Sequence, residues 1–445
     1  MKNATTPNLR MNRLTILILI LFVASQNGIA QSTFHGNIAR TGAYNSPGPK
    51  QLSGTKWVFK TDGPIFSSPA IADGIVFFGS TDTNFYAIDQ STGKQKWKFK
   101  TDGAVSSSPA VANGIVYFGS FDGTLYALAA DSGAVKWRFA HEGSEKRFEA
   151  KGIHGATPSN QTIPDPWDLY LSSPAISYGR VYFGSGDGNV YAVNAQTGVL
   201  QWKFVTGDVV HASPAIANNT VYIGSWDSFL YAVDAETGQE KWRFKTGEDP
   251  VIHNQVGLQS SPVVVEGTVF VGCRDAHVYA IDARTGRKKW DYYTKKSWVN
   301  ATPAVADGRV YFGTSDTHLF HALDARSGRP QFTFEAKAQI FSSAAIAGDL
   351  VYVGDFLGRL YALDRKTGTL AWEFRTEGSR TDPLKVLNSE GTWNRDAFTR
   401  SFNDFADMYV NLSKRFSVGS ILSSPVVDRG EIYFGSTDGF LYALQ

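Results

Sequence analysis

The chain has 445 residues, 42% of them hydrophobic and 19% charged, and its 43 Lys and Arg against 41 Asp and Glu leave a formal net charge of +2. That balance gives no basis for nucleic-acid binding or for a strongly acidic partner surface. A single cysteine, Cys273, rules out an internal disulfide, so stability must come from packing.

Met1–Ala30 reads as a secretory signal. Lys2, Arg10 and Arg13 give a basic start, Leu14–Val23 an apolar stretch, and Gly28-Ile29-Ala30 a small-residue cleavage site. The apolar stretch is too short to span a bilayer comfortably, and no cysteine lies near the cleavage site. The predicted location is therefore the periplasm or the medium, with no lipid anchor. Residues 31–54 are expected to be a polar, Gly- and Pro-containing leader, and residues 55–445 a single repeat array.

The array begins at Ser68-Pro69, followed 18 residues later by Tyr86-Ala87 and 11 residues after that by Trp97. Units start at Ser68, Ser108, Ser173, Ser213, Ser261, Thr302, Ser343 and Ser424, which makes eight. Each holds four short β-compatible runs, in the second unit Ser108–Ala112, Ile115–Gly119, Thr124–Leu128 and Ala134–Phe139. Turns such as Asn113-Gly114, Asp122-Gly123 and Ser132-Gly133 separate them. Four strands per repeat with a period of about 40 residues predict an all-β, eight-bladed propeller of antiparallel blades. Trp57, Trp97, Trp137, Trp202, Trp242, Trp290 and Trp372, with Phe332 as the one substitute, open each fourth strand and are expected to dock between blades. The last unit stops at Gln445 without its fourth strand, and Trp57-Val58-Phe59-Lys60 supplies one from the other end. The termini should thus share a blade and close the ring.

The run Ala87–Trp97, with close copies at Ala232–Trp242, Ala280–Trp290 and Ala362–Trp372, resembles the tryptophan-docking motif of the pyrroloquinoline-quinone (PQQ) repeat family. The resemblance covers nearly all of residues 55–445 and implies the eight-bladed fold. It does not imply the cofactor, because these blades are similar both to quinoprotein alcohol dehydrogenases and to the non-enzymatic barrel-assembly lipoprotein of outer membranes.

Spacing within a unit scarcely varies, whereas the path from the docking position to the next unit lengthens from 11 residues to 36 after Trp137, 19 after Trp242 and 52 after Trp372. The sizeable insertions, chiefly residues 140–170 and 375–420, should therefore decorate one face, a common mark of the binding face. They carry His141, Glu142, Arg147 and His154 in the first, and Arg380, Trp393, Arg395 and Arg400 in the second. Phe398, Phe402, Phe405 and Tyr409 are spaced as one amphipathic helix, expected to pack on the propeller.

Two residues before each unit start the chain reads Phe66, Ser106, Leu171, His211, Gln259, Asn300, Phe341 and Leu422, while the position before that is apolar throughout. Strand alternation gives the two columns different surroundings, and the variable one is predicted to face the axial mouth. With neighbouring loop residues it predicts a ligand pocket of His211, Trp226, His253, Asn254, Gln259, Arg274, Trp298 and Asn300 on the decorated face. His321, replacing a repeat Tyr, is expected in the core.

The leading reading is an exported, monomeric binding or scaffold module of the cell envelope. Its partner would be an envelope protein, a glycan or a small molecule on the decorated face. A PQQ-dependent dehydrogenase is the alternative. It needs a flat slot with a Trp floor, Ca²⁺ on carboxylate and amide oxygens, a cation near the quinone and an Asp base. Trp298, Asn300 and Arg274 could serve three of those roles. However, the dehydrogenases this repeat resembles hold a disulfide of adjacent cysteines, and Cys273 is alone. A uronate lyase using His211, His253 or Tyr170 as base beside Arg274 is the third reading. No residue is assigned a catalytic role, and no metal-ligand spacing occurs.

Overall fold

The computed structural model describes residues 32–142, 147–149, 162–164, 167–247, 257–398 and 405–445. Eight four-stranded antiparallel units form the ring. The first blade comprises Ala70–Ala72, Ile75–Gly79, Asn84–Asp89 and Gln95–Lys100. In the eighth, Val426–Asp428, Glu431–Gly435 and Phe440–Leu444 are completed by Thr55–Lys60, paired antiparallel with Thr55 opposite Leu444 and Lys60 opposite Phe440. The ring therefore closes through its own termini.

Sequence pattern sets the layers. Third strands such as Phe229–Asp234 are nearly continuous apolar runs and are buried on both faces. Outer strands such as Glu240–Lys245 alternate, and their lysines keep the free sheet edge in water. Cores lie between blades: Phe77 and Phe85 of the first pack with Phe118, Tyr126 and Leu128 of the second. Phe85 and Phe118 stack with centroids 3.9 Å apart.

Six of the seven docking indoles donate Nε1–H to a carbonyl of the following blade, as in Trp97 to Ala130 at 3.1 Å and Trp202 to Ala235 at 3.1 Å. Each of these rings lies on a turn glycine. Gly238 has φ +73°, and a Cβ there would sit 2.8 Å from Trp202. At the seam no such turn remains, and Trp372 Nε1 donates to Pro49 O at 3.0 Å instead.

That bond belongs to the polar leader, of which residues 32–50 form a strap bonded to the inner edge of every blade. Ile71 N–H donates to Ser32 Oγ and Val111 N–H to Ser32 O, while Thr33 and Arg40 donate to Pro174 O. The amides of Ile216, Val264, Val305 and Ile346 then donate to Ile38, Ala39, Thr41 and Gly42, and Tyr44 Oη reaches Pro425 O. Ala43–Tyr44 adds a parallel fifth strand to Ala345–Ala347. The physical cause is the free N–H row of each first strand, which must find acceptors. The strap lies on the face of the turns between first and second strands, where Lys50 pairs with Asp349 and Gly430 N–H donates to Ser46.

Candidate functional site

At the hub the unit-start residues form a closed circle. Ser68 N–H donates to Ser108 Oγ at 2.9 Å, Ser108 to Ser173 at 3.0 Å, Ser173 to Ser213 and Ser213 to Ser261 at 2.9 Å. Ser261 continues to Thr302 at 3.3 Å, Thr302 to Ser343 at 2.9 Å, Ser343 to Ser424 at 3.2 Å, and Ser424 returns to Ser68 at 2.9 Å. The recurring Ser is thus a hub contact between neighbouring blades.

The circle surrounds a small axial cavity of about 40 Å³, lined also by Ser106, His211, Gln259, Asn300 and Phe341. The variable column therefore faces the axis. His211 Nδ1–H donates to Asp168 Oδ2 at 2.7 Å, and both side chains are buried. His211 Nε2 and both amide atoms of Asn300 are buried without a partner among the described residues.

Trp226, Arg274 and Trp298 gather beside the cavity. The Arg274 guanidinium is fully buried and lies over Trp226 at 4.1 Å and over Trp298 at 4.7 Å. Its Nη2 donates to Gln259 Oε1 at 2.9 Å, and Gln259 Nε2 donates to Trp167 O at 2.8 Å. Gln259 is thus the link between this cation–aromatic sandwich and the cavity. His253 and Asn254, the other members of the predicted pocket, lie outside the described residues.

Both long insertions meet over the mouth. Trp167, Leu169 and Tyr170 from one, and Leu387, Trp393 and Phe416 from the other, pack on Phe66, Phe341, Phe356 and Leu422. Tyr170 Oη donates to Leu422 O at 3.1 Å. From the opposite end Phe34 of the strap enters the cavity lining, backed by His35 and Arg40. Burial holds His35 down at about 4, and its single ring N–H in the neutral form donates to either Arg40 O or Ala344 O, which lie 2.6 and 2.9 Å from the two ring nitrogens.

The predicted helix is displaced. A short α1 spans Glu377–Thr381, and the longer α2 spans Phe405–Phe416. Phe398 lies before α2, capping a single 3₁₀ turn, and Phe402 lies outside the described residues. Tyr409 is 42% exposed. The packing face is instead that of Leu412 and Phe416, because Phe416 reaches the lid and meets Phe66 edge-on at 5.4 Å. Among the other polar insertion residues, His141 bonds Ser185 Oγ at 2.8 Å, Arg380 pairs with Glu377, and Trp393 stacks beneath Arg415. The Arg147 side chain, His154 and Arg400 lie outside the described residues. His321 is buried against Phe312, 5.1 Å away, with burial lowering it to about 4.

Sequence reasoning missed Asp168, the strap residues and the lid. Asp168 sits in an insertion with no repeat register, so no column could identify it as the partner of His211.

A ring of eight blades docked by tryptophan and tied at a serine hub is the fold of the PQQ-repeat propellers. The chain belongs to that family: the family model described as outer membrane protein assembly factor BamB matches residues 39–159, 154–374 and 256–445. No curated protein matches. Among solved structures, BamB from Moraxella catarrhalis is similar at a TM-score of 0.62 and 16% identity, covering 88% of this chain and 97% of that one. Quinohemoprotein alcohol dehydrogenase from Comamonas testosteroni is similar at 0.65 and 14% identity, covering 96% and 82%. A europium-containing methanol dehydrogenase also scores 0.65 at 14% identity, covering 96% and 99%. At such identities the likeness is one of fold.

The described residues do not offer an open slot for PQQ with Ca²⁺ on the axis. Arg274 covers one face of Trp226 and one face of Trp298, at 4.1 and 4.7 Å. Trp167 and Phe341 fill the mouth, 6.1 Å apart. The described residues hold no cluster of three or more His, Cys, Asp or Glu suited to a metal ion.

Proposed function

We propose that this chain is an exported binding or scaffold propeller of the cell envelope that engages a partner protein on its insertion face. The observation that carries the reading is the lid. Both insertions converge over the axial mouth and fill it with apolar side chains, so the outer surface of the insertions, not the hub, is what meets a macromolecule. That surface exposes Leu384, Tyr409 and Val410 at 55%, 42% and 46%, beside a groove lined by Pro64, Leu412 and Phe416. Exposed apolar groups clustered on one face favour protein association. The basic, apolar and small-residue order of Met1–Ala30, together with the family's description as an outer membrane protein assembly factor, supports an envelope location. No described helix is long and apolar enough to cross a membrane.

The test sets the two leading readings apart. Photo-crosslinkers at Leu384 and Tyr409 should give discrete protein adducts in intact envelopes, whereas the same probes at Asp131 and Asp349 on the opposite face should not. Titration of the purified protein with PQQ and Ca²⁺ should show no saturable absorbance change and no dye-linked alcohol oxidation. Turnover there would replace this reading with a dehydrogenase.

A further inference from the structure

The outer wall of the ring carries its charge unevenly. In blades 8, 1 and 2, which are neighbours, the outermost strands Thr55–Lys60, Gln95–Lys100 and Val135–Ala140 hold seven Lys and Arg and no Asp or Glu. Across the ring, the corresponding strands of blades 4, 5 and 6 include Glu240, Asp291 and Glu335. The whole chain has a formal charge of only +2, so the wall is a gathering of positive charge on one side.

Most of that charge is uncompensated. Of the seven, Lys56 alone has a described carboxylate partner, Glu431. Lys96, Lys98 and Lys100 are exposed, as are Lys94 just before them and Lys136 and Arg138 in the next blade. None of these six is ion-paired to a described carboxylate, whereas Lys241, Lys288 and Lys289 across the ring pair with Asp234, Asp291 and Asp282. Asp62, Asp102 and Asp131 lie in bends and turns beyond the strand ends, which leaves the strands themselves wholly positive. Arg138 is laid over Phe99 and Tyr126 at 5.7 and 5.4 Å, at the junction of blades 1 and 2. Val58 and Val135 stand among the lysines, 47% and 43% exposed.

The make-up of the wall indicates its counterpart. Stereospecific protein interfaces are poor in lysine and depend on aromatic and arginine anchors seated in pockets. Here six of the seven charges are lysines, and the indole of Trp97 is turned into the blade junction, where it bonds Ala130 O. Flexible lysines instead suit a surface whose negative charges are many and mobile. A cluster of about four to eight Lys and Arg is the range that recognises anionic lipid headgroups. We propose that the wall of blades 8, 1 and 2 docks side-on against an anionic lipid bilayer. Its lysines reach the headgroup phosphates, and Val58 and Val135 meet the interface. The ring axis then runs along the membrane plane and leaves the insertion face open sideways. This contact shares only the envelope location with the proposed function, and it stands or falls apart from the partner on the insertion face.

The mature protein should co-sediment with vesicles of equimolar phosphatidylglycerol and phosphatidylcholine at low salt, and much less with phosphatidylcholine alone. Raising the salt should release it, because screening weakens contacts between exposed charges. Lys96→Glu combined with Lys98→Glu should weaken binding at least about tenfold. Arg287→Glu with Arg329→Glu, the same charge change at exposed positions of blades 5 and 6, should leave it nearly unchanged. Bound vesicles should shield Lys98 from amine acylation more than Lys289. Equal losses in the two pairs overturn the proposal, since binding would then follow net charge alone. So does equal binding to neutral vesicles, or no binding at all. Protein adducts from a crosslinker at Lys98 without vesicle binding overturn it too, in favour of an acidic protein partner. Should the Glu pair fail to fold, Lys96→Gln with Lys98→Gln should show a smaller loss, and no loss there overturns the proposal.

Discussion

In five blades the third-strand tyrosine donates its O–H to the aspartate four residues earlier, as Tyr86 does to Asp82 at 2.7 Å and Tyr231 to Asp227 at 2.7 Å. Blade 7 keeps the contact with altered chemistry. Leu357 occupies the aspartate position, and Asp355, two residues earlier, accepts from Tyr361 at 2.9 Å and from the amides of Leu357 and Arg359. Full burial pushes the Asp355 carboxyl from 3.8 up to about 7. The folded protein then holds this proton while the unfolded chain has lost it, so stability falls as pH rises from about 4 to 7. The slope is up to about 1.4 kcal/mol per pH unit. Asp355→Asn should be more stable than the parent at pH 7.5, with the gain shrinking toward zero by pH 4, as read by urea unfolding across that range. At Trp202, the Ala variant should lose about 3–5 kcal/mol. Trp202→Phe should lose less, since Phe332 fills the same slot in blade 6 without a donor. The same unfolding measurement separates the two.

The element that matters most is the strap. Its carbonyls and Ser32 cover the inner edges of the first strands, and Gly42, at φ +69°, passes where a Cβ would lie 2.6 Å from His35. Removing residues 32–50 should therefore speed hydrogen exchange at the amides of Val111, Ile216, Val264, Val305 and Ile346, while third-strand amides stay protected. Because burial holds His35 near 4 against an ordinary 6.5, its protonation opposes the folded state. In the intact protein the same amides should lose protection as pH falls from 6.5 toward 4. Unchanged exchange in both experiments would mean that the strap is not what protects those edges.

For the molecule as a whole, closure is the governing constraint. Thr55–Lys60 is the only strand that covers Phe440–Leu444 on its outer side among the described residues. Deleting residues 55–60 should expose that strand as an edge and remove Trp57, whose Nε1 bonds Gln90 O at 2.9 Å across the seam. Size-exclusion chromatography should then show oligomers or aggregates in place of a single species.

The repeat spacing alone determined the blades, the docked tryptophans and the N- to C-terminal seam, because each depends on contacts that recur at fixed intervals along the chain. Comparing equivalent positions also brought His211, Gln259 and Asn300 to the axis, since strand alternation carries one column inward around the whole ring. Only tertiary structure decided the rest. Asp168 meets His211 across 43 residues from an insertion without register, and the strap and lid are aperiodic. Arg274 is claimed by two indoles from neighbouring positions in space rather than in sequence. Periodicity encodes what every blade does alike, whereas what fills the single shared axis depends on where unrelated segments come to rest after the ring has closed.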